Sequence, residues 1–550
     1  MIFQSSFYQS KRILLVDDCE PVRASIRGML QQIGFEHITV VSDASAAISK
    51  AELHSFDFIV ADFQLGDGLD GFQLFSELKK RELIKLNCCV TLISAESIRM
   101  PVLGMLERQP DCFILKPFTY MTLEKRLARA VQQRMAFRKV YQAIQQRQPE
   151  QAIELSEQLV KDSPLHALHA LRLKGELLLQ HHQPDKATKL YQQILQKRQL
   201  SWAALGLAIA SMQAGQLDEA EYSLLELSKQ EDTRSEALDW LIRLYLQQNN
   251  TAQALEVSYE LGRALPRQAL AMQVQTYIHT LCGQVDDAIR GWTKISQQVR
   301  YSSLDSAQHY LNPARLWLTH LQQSKSLQPG QQLSKAEECL QQLPKRFQTD
   351  ELQLELQWLQ ARIAVLQGDP VPAQQAVASA TPEHLAQLPM EAVMDLAMLQ
   401  LALGDTKQHE LVLQQLTQAR VDPSLIGALQ QQYSQHAMQQ GKVLRQKIKQ
   451  QMQKGQDDYR QQAYNHAFSR LWQSFLYMPA NMSLALSLWQ TLAQLPYASS
   501  LQHAVLLIAQ LLQSATLQGA NQQRFVSVYQ KLAVPYKLPQ LNGSTANSAS

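Results

Sequence analysis

Over the first 120 residues, short unbroken apolar runs alternate with amphipathic stretches. The runs are Ile13-Leu14-Leu15-Val16, Phe58-Ile59-Val60-Ala61, Val90-Thr91-Leu92-Ile93 and Cys112-Phe113-Ile114-Leu115. Runs this short and this apolar are expected of strands buried on both faces, with the helical patterns between them as crossovers of a parallel sheet. The pattern then changes. Leu123, Leu127, Val131, Phe137, Tyr141 and Ile144 fall close to helical spacing, and no glycine or proline interrupts residues 119–148. The last helix of the α/β domain is therefore expected to run on as a rigid connector (residues 131–148) into an all-α region.

A period of about 34 residues governs that region. Ala152, Ala187, Ala220, Ala254 and Ala288 recur at intervals of 33 to 35 in similar contexts. Gly215 and Gly283 each stand five before their alanine, Pro164 and Pro266 twelve after theirs, and Tyr191 and Trp292 four after theirs. Alanine suits a point where two antiparallel helices cross closely, because a larger side chain would push them apart. The spacing and marks resemble the tetratricopeptide repeat (TPR), a helix–turn–helix unit that stacks into a solenoid. The resemblance covers residues 149–300 and turns irregular over 301–540, with a longer helix or insertion expected around Tyr301 to Gln328. Gly368 with Ala373, Gly404, and Ala467 with Pro479 restore the marks, and a basic helical stretch is expected from Gly441 to Gly455. The small polar tail 541–550 is expected to be disordered.

The chemistry lies where the apolar runs end. Asp17 and Asp18, Asp62, Ser94 and Lys116 each come after one of them, and a parallel sheet gathers such positions on one rim beyond its strands' carboxyl ends. Three clustered carboxylates call for a hard divalent cation such as Mg²⁺. A carboxylate so placed can attack phosphorus, while an amine and a hydroxyl stabilise the transferred oxygens. In this order the motifs Leu15-Val16-Asp17-Asp18, Ala61-Asp62, Ser94-Ala95 and Lys116-Pro117 resemble a response-regulator receiver domain over residues 11–130. The resemblance implies a doubly wound, flavodoxin-like, five-stranded parallel sheet. It implies Asp62 as phosphoacceptor, and Asp17, Asp18, Asp62 and the backbone carbonyl of Gln64 as Mg²⁺ ligands. It makes Ser94 and Phe113 the switch residues, Lys116 the phosphoryl-binding amine, and Gln64 and Glu96 the positions that tune phosphoryl lifetime. Gly66 stands where proline is common and Ser94 where threonine is commoner, and neither removes a chemical requirement.

The same resemblance implies a phosphoacceptor that phosphorylates and dephosphorylates itself, not a turnover enzyme. Its expected partners are a sensor histidine kinase or phosphotransfer protein, and a second copy through the receiver. The TPR resemblance adds an unidentified protein ligand for a groove whose candidate residues are His169, Arg172, Trp202, Asp239, Arg243 and Tyr277.

Composition narrows the reading. With a net charge of +3, 18% charged and 45% hydrophobic residues, the 550-residue chain is neither a disordered polyelectrolyte nor a nucleic-acid tail. The basic residues Lys125, Arg126, Arg129, Arg134, Arg138 and Lys139 read as a solvated face of the connector helix. Six cysteines form no C-x-x-C pair and suit a reducing compartment. No basic and then apolar leader opens the sequence, and Leu501 to Leu512 is broken by Gln502, His503 and Gln510, so neither a signal peptide nor a membrane span is expected, and a cytoplasmic location is. The resulting expectation is a phosphorylation-switched interaction protein. A modulator that drains phosphoryl groups from its kinase is the overlapping alternative, and a DNA-binding regulator lacks a recognisable helix-turn-helix.

Overall fold

The computed structural model describes residues 5–66, 69–95, 109–264, 268–300, 305–324, 327, 329–347, 350–381, 385, 388–418, 422, 424–515 and 517–539. They form two compact units, one of Met1–Gln268 with Val299–Asp305 and one of Ala269–Gln298 with Ser306–Ser550.

The first unit begins with helix α1 (Ser5–Gln9), then β1 (Arg12–Val16), α2 (Glu20–Ile33), β2 (His37–Val41), α3 (Ala44–Leu53), β3 (Phe58–Asp62), α4 (Gly71–Lys80), β4 (Cys89–Ser94), β5 (Cys112–Leu115) and α5 (Tyr120–Gln145). The sheet order is β2-β1-β3-β4-β5 with every described pairing parallel, the flavodoxin-like order. Four strands are the four apolar runs. The fifth, β2, lies at the edge and is only half buried over most of its length, so its sequence carries a weaker apolar signal. Alternate strand residues feed opposite cores. Leu14, Val16, Ile59, Ala61, Val90 and Leu92 pack with Ile48, Leu74, Phe75 and Leu78 of α3 and α4. Ile13, Leu15, Phe58, Val60, Ile93 and Ile114 pack with Ile26, Leu30, Leu123 and Leu127 of α2 and α5. Tyr8 of α1 joins this second core, fully buried against Phe35 and Phe58.

The rest of the first unit is helical hairpins: α6 (Pro149–Asp162), α7 (Ala167–Gln180), α8 (Pro184–Lys197), α9 (Ser201–Gln213), α10 (Leu217–Ser228), α11 (Arg234–Gln247) and α12 (Thr251–Ala264). The second unit continues with α13 (Gln268–Leu281), α14 (Val285–Gln298), α15 (Gln308–Gln323), α16 (Gly330–Gln341), α17 (Asp350–Leu366), α18 (Val371–Ala378), α19 (Met390–Ala402), α20 (Thr406–Gln418), α21 (Leu425–Arg460), α22 (Tyr464–Phe475), α23 (Met482–Leu492), α24 (Gln502–Ser514) and α25 (Ala520–Tyr536). The longer element expected near residue 310 is α15, a 16-residue helix carrying Pro313. The basic stretch 441–455 lies inside the 36-residue α21.

One turn recurs between paired helices. Arg147, His182, Gly215, Asn249, Gly283, Gly368, Gly404 and Gln462 all have φ between 52° and 94°. The residue after each donates its N–H to the carbonyl five positions back, as Gln183 does to Leu178 and Gln216 to Ser211, both at 2.9 Å. This is the left-handed C-terminal cap that satisfies a helix's last carbonyls. Each such residue stands five before a fully buried alanine (152, 187, 220, 254, 288, 373 or 467) or, once, before the buried His409. A left-handed backbone costs a non-glycine residue about 1–2 kcal/mol. His182→Gly should therefore raise stability by about 0.5–1 kcal/mol after glycine's own entropy is subtracted. A higher urea midpoint at unchanged slope is the expected result. An unchanged or lower midpoint would mean that the imidazole makes up the strain elsewhere.

Candidate functional site

The rim above β1, β3, β4 and β5 collects the five residues that end the apolar runs. Asp17 comes directly after β1 with its side chain 1% exposed, Asp62 closes β3 at 11%, and Lys116 comes directly after β5 at 22%. Asp18 is exposed and Ser94, the last residue of β4, is buried. Carboxylate oxygens of Asp17, Asp18 and Asp62 all lie within 4.8 Å of one another. Lys116 Nζ donates to Asp62 Oδ2 at 2.9 Å and to Asp17 Oδ2 at 3.1 Å. The backbone holds these groups in turn. The Cys19 N–H donates to Asp17 Oδ1, the Phe63 N–H to Asp62 Oδ1, and the Lys116 N–H to the Ser94 carbonyl. The Lys116–Pro117 peptide is cis.

Burial raises the Asp62 carboxyl above its usual range, and the Asp17 charge adds to this, while the Lys116 ammonium and the Phe63 N–H act against it. Burial opposes the charged form of Lys116, but the hydrogen bonds and charges of Asp62 and Asp17 outweigh it and keep the amine protonated. The Lys116 ammonium thus bonds two of the three carboxylates, while the Arg23 guanidinium donates to the Asp17 backbone carbonyl. An oxygen-liking divalent cation such as Mg²⁺ fits this donor set.

Residues beyond the motifs shape the loop. Asp70 caps α4 through a reciprocal pair of bonds with Gln73, and the Gly71 N–H donates to the Phe63 carbonyl. A side chain on Gly71 would place its Cβ 2.2 Å from the Asp62 carbonyl oxygen, so any larger residue displaces the strand end that carries Asp62. Phe113 is half buried against the α3/α4 core, and Gln64 is exposed two residues after Asp62. Glu96, with the rest of residues 96–108, and residues 67–68 lie outside the described residues, as does the tail 541–550.

The opposite end of the same strands is fastened to the repeats. Asp111, directly before β5, pairs with Arg134 of α5 at 2.9 Å, both side chains about nine-tenths buried. Its carboxylate also accepts the Val90 N–H, at 2.8 Å, and Arg134 stacks on the Tyr141 ring. Arg134 thus departs from the solvated face read in the sequence. It became a buried anchor because its partner sits 23 positions away, where no helical periodicity reveals it. Three residues on, Phe137, Val140 and Tyr141 pack into a core with Ala152, Ala170 and Leu173 of α6 and α7, against which Leu86 also lies.

Of the groove candidates, His169 is exposed on α7 and Arg172 pairs with Glu176 at 3.0 Å. Trp202 meets Tyr191 edge-on, and Asp239 pairs with Arg243 at 2.6 Å. Tyr277, in the second unit, is buried, with its hydroxyl donating to Glu391 at 2.6 Å.

The family model for the response regulator receiver domain matches residues 13–128. Over 119 residues the chain is 29% identical to the chemotaxis protein CheY-3 of Vibrio cholerae serotype O1, covering 22% of this chain and 90% of that protein. Over 116 residues it is 27% identical to CheY of Pseudomonas aeruginosa, covering 21% and 92%. A tetratricopeptide repeat protein from Parabacteroides merdae aligns with 55% of this chain and 98% of its own at 12% identity, with a TM-score of 0.31. Residues 13–128 thus carry a response regulator receiver domain, and the helical hairpins after it repeat the left-handed turn and the buried alanine described above. No described helix is long and apolar enough to cross a membrane.

Proposed function

We propose that this chain is a two-component response regulator. Asp62 accepts a phosphoryl group from a sensor histidine kinase or phosphotransfer protein, and the repeats pass the change to a protein partner. The observation that carries this reading is the Lys116 ammonium bridging Asp62 and Asp17 inside a trio of carboxylates. An Asp62 oxygen forms the new O–P bond as the P–N bond to the donor imidazole breaks, and the imidazole keeps the electron pair and takes a proton. Asp17, Asp18 and Asp62, with the Gln64 carbonyl, are the residues that would hold Mg²⁺, whose charge when bound offsets that of the carboxylates and the phosphoryl oxygens. Lys116 turns from the carboxylate to a phosphoryl oxygen, and the Ser94 hydroxyl donates to another. Hydrolysis of the acyl phosphate restores Asp62, and Gln64 and Glu96 are positioned in sequence to set its lifetime.

Transmission runs along β5. Phe113 turns inward as Ser94 moves toward the phosphoryl group, and Asp111, two residues back, is ion-paired to Arg134 of the helix that enters the repeats. Leu115, at the end of β5, and Met121, in the first turn of α5, are each more than half exposed, and a second copy of the receiver would dock over them.

Phosphotransfer from purified, autophosphorylated sensor kinases tests the reading. One kinase should pass its label to the full chain far faster than the others, and transfer from none of the cell's own kinases would overturn it. If the chain instead mainly lowers labelling of another receiver mixed with the same kinase, the phosphate-draining role replaces the interaction switch.

A further inference from the structure

The charge of this chain is unevenly spread. Residues 423–550 hold ten lysines and arginines against two aspartates, a net +8, in a chain whose total is +3. No Asp or Glu occurs after Asp458. Within this segment a cavity of about 510 Å³ opens among α21, α23 and α25, with Leu471 of α22 also in its lining, a volume within the usual range of ligand sites. Helices α21, α23 and α25 are the first helices of successive pairs, the face a helical-repeat array turns toward its ligands.

The same face is closed earlier in the second unit. There Arg315 pairs with Asp395 and Glu355 at 2.7 and 3.0 Å, Arg362 pairs with Asp395, and Glu391 accepts from Tyr277 and Gln430. All of these residues lie on the first helices α13, α15, α17, α19 and α21, and their polar groups are turned on one another. Past them the face opens into the cavity, whose lining has no carboxylate. Arg460 and Arg524 supply its charge, and Gln456, Gln490 and Asn521 supply carboxamides. The Ser487 and Thr491 hydroxyls donate to the carbonyls four residues back, so toward the cavity they offer acceptor oxygens. Asp457 and Asp458 are held by Arg460 and Arg470. The Asp457–Arg460 pair is exposed and of the kind worth little, so Arg460 can exchange it for a ligand.

We infer that this cavity is where the repeats take hold of an acidic, extended segment of a partner protein. Carboxamides offer the paired donor and acceptor that a peptide group needs, arginines bind carboxylates, and the exposed Lys442, Lys447, Lys449 and Lys454 of α21 draw negative charge toward the mouth. Nucleic acid fits less well, since single strands need stacking platforms. The only aromatic in the lining is Tyr459, half buried and edge-on to Tyr464. The inference rests on the reading that the repeats capture a protein partner, and it names where and by what chemistry.

Fluorescence anisotropy of the full chain with labelled oligoglutamate is the test, with oligothymidylate and phosphatidylglycerol vesicles as comparison anions. The parent should bind oligoglutamate in a salt-sensitive way. The double variant Arg460→Gln/Arg524→Gln should weaken binding by roughly tenfold, while Arg290→Gln on α14 should leave it unchanged. Gln490→Ala should weaken binding without altering its salt dependence, a change that general attraction between charges would not give. Equal binding by the parent and the double variant overturns the inference. So does tighter, arginine-dependent binding of oligothymidylate or of the vesicles. Labelling of Asp62 should be the same in all variants, so failure of the cavity and failure of the receiver reading are told apart.

Discussion

Asp62→Asn is expected to reduce phosphoryl labelling to background. The parent chain, given Mg²⁺ and a small phosphodonor, should acquire one acid-stable, base-labile acyl phosphate. The amide keeps the shape of the side chain but removes the charge and the nucleophilic oxygen, so there is nothing to form the O–P bond. A fall of at least about a thousandfold in rate, roughly 4 kcal/mol of barrier, is the expected size. Of the acids that remain, Asp17 is 1% exposed and tied to Lys116 and to the Cys19 N–H, and so is poorly placed to take over. In the same assay Asp18→Ala should still be labelled but should need a higher Mg²⁺ concentration, because it loses a carboxylate of the trio without losing the nucleophile. Parent-level labelling of Asp62→Asn would remove Asp62 from the reaction.

The second large effect concerns α5. Its first part packs into the receiver core through Leu123, Leu127 and Val131, and its last part packs against α6 and α7 through Phe137, Val140 and Tyr141. Arg134, between the two, is tied to Asp111. The helix is thus rigidly engaged at both ends. Inserting Gly-Gly after Gln133 rotates one half against the other by about 200° at 3.6 residues per turn and softens the joint. Phosphorylation of Asp62 should survive, while the phosphorylation-dependent change in hydrogen exchange over residues 137–180 should disappear. The same insertion after Gln145 falls beyond the packed part of α5, so it should only lengthen the hairpin turn and leave the response intact. A response that persists with the insertion at 133 would discard the lever and leave the receiver as a tethered shield.

Much of this was legible because the signals are local. A four-residue apolar run ending in a carboxylate announces a buried strand and its rim, and Asp17, Asp62 and Lys116 do meet there. The period of the alanines was legible for the same reason, since all but one of the recurring turns are followed five residues on by a buried alanine. The left-handed turns were only half legible. Gly215 and Gly283 betray theirs, but Arg147, His182 and Asn249 adopt the same backbone without a residue type that shows it. What sequence could not show depends on distant partners. Tyr277 sits at a groove-like position of its repeat, yet its hydroxyl meets Glu391, 114 residues away. Gly71 looks like an ordinary loop glycine until the Asp62 carbonyl is found against it.

Helix α21 has one further consequence. Its 36 residues extend about 54 Å at 1.5 Å per residue, and it belongs to two successive hairpins at once. Gly441 lets Leu413 of α20 settle onto one half, and Gly455 lets Leu471 of α22 settle onto the other. Arrays whose members touch only their neighbours can fray one member at a time from an end. Here a single beam spans the joint, and fraying that enters from the carboxyl end cannot stop between α20 and α22 without snapping a continuous helix. At this point the array has a coarser grain, in which two hairpins melt or hold as one.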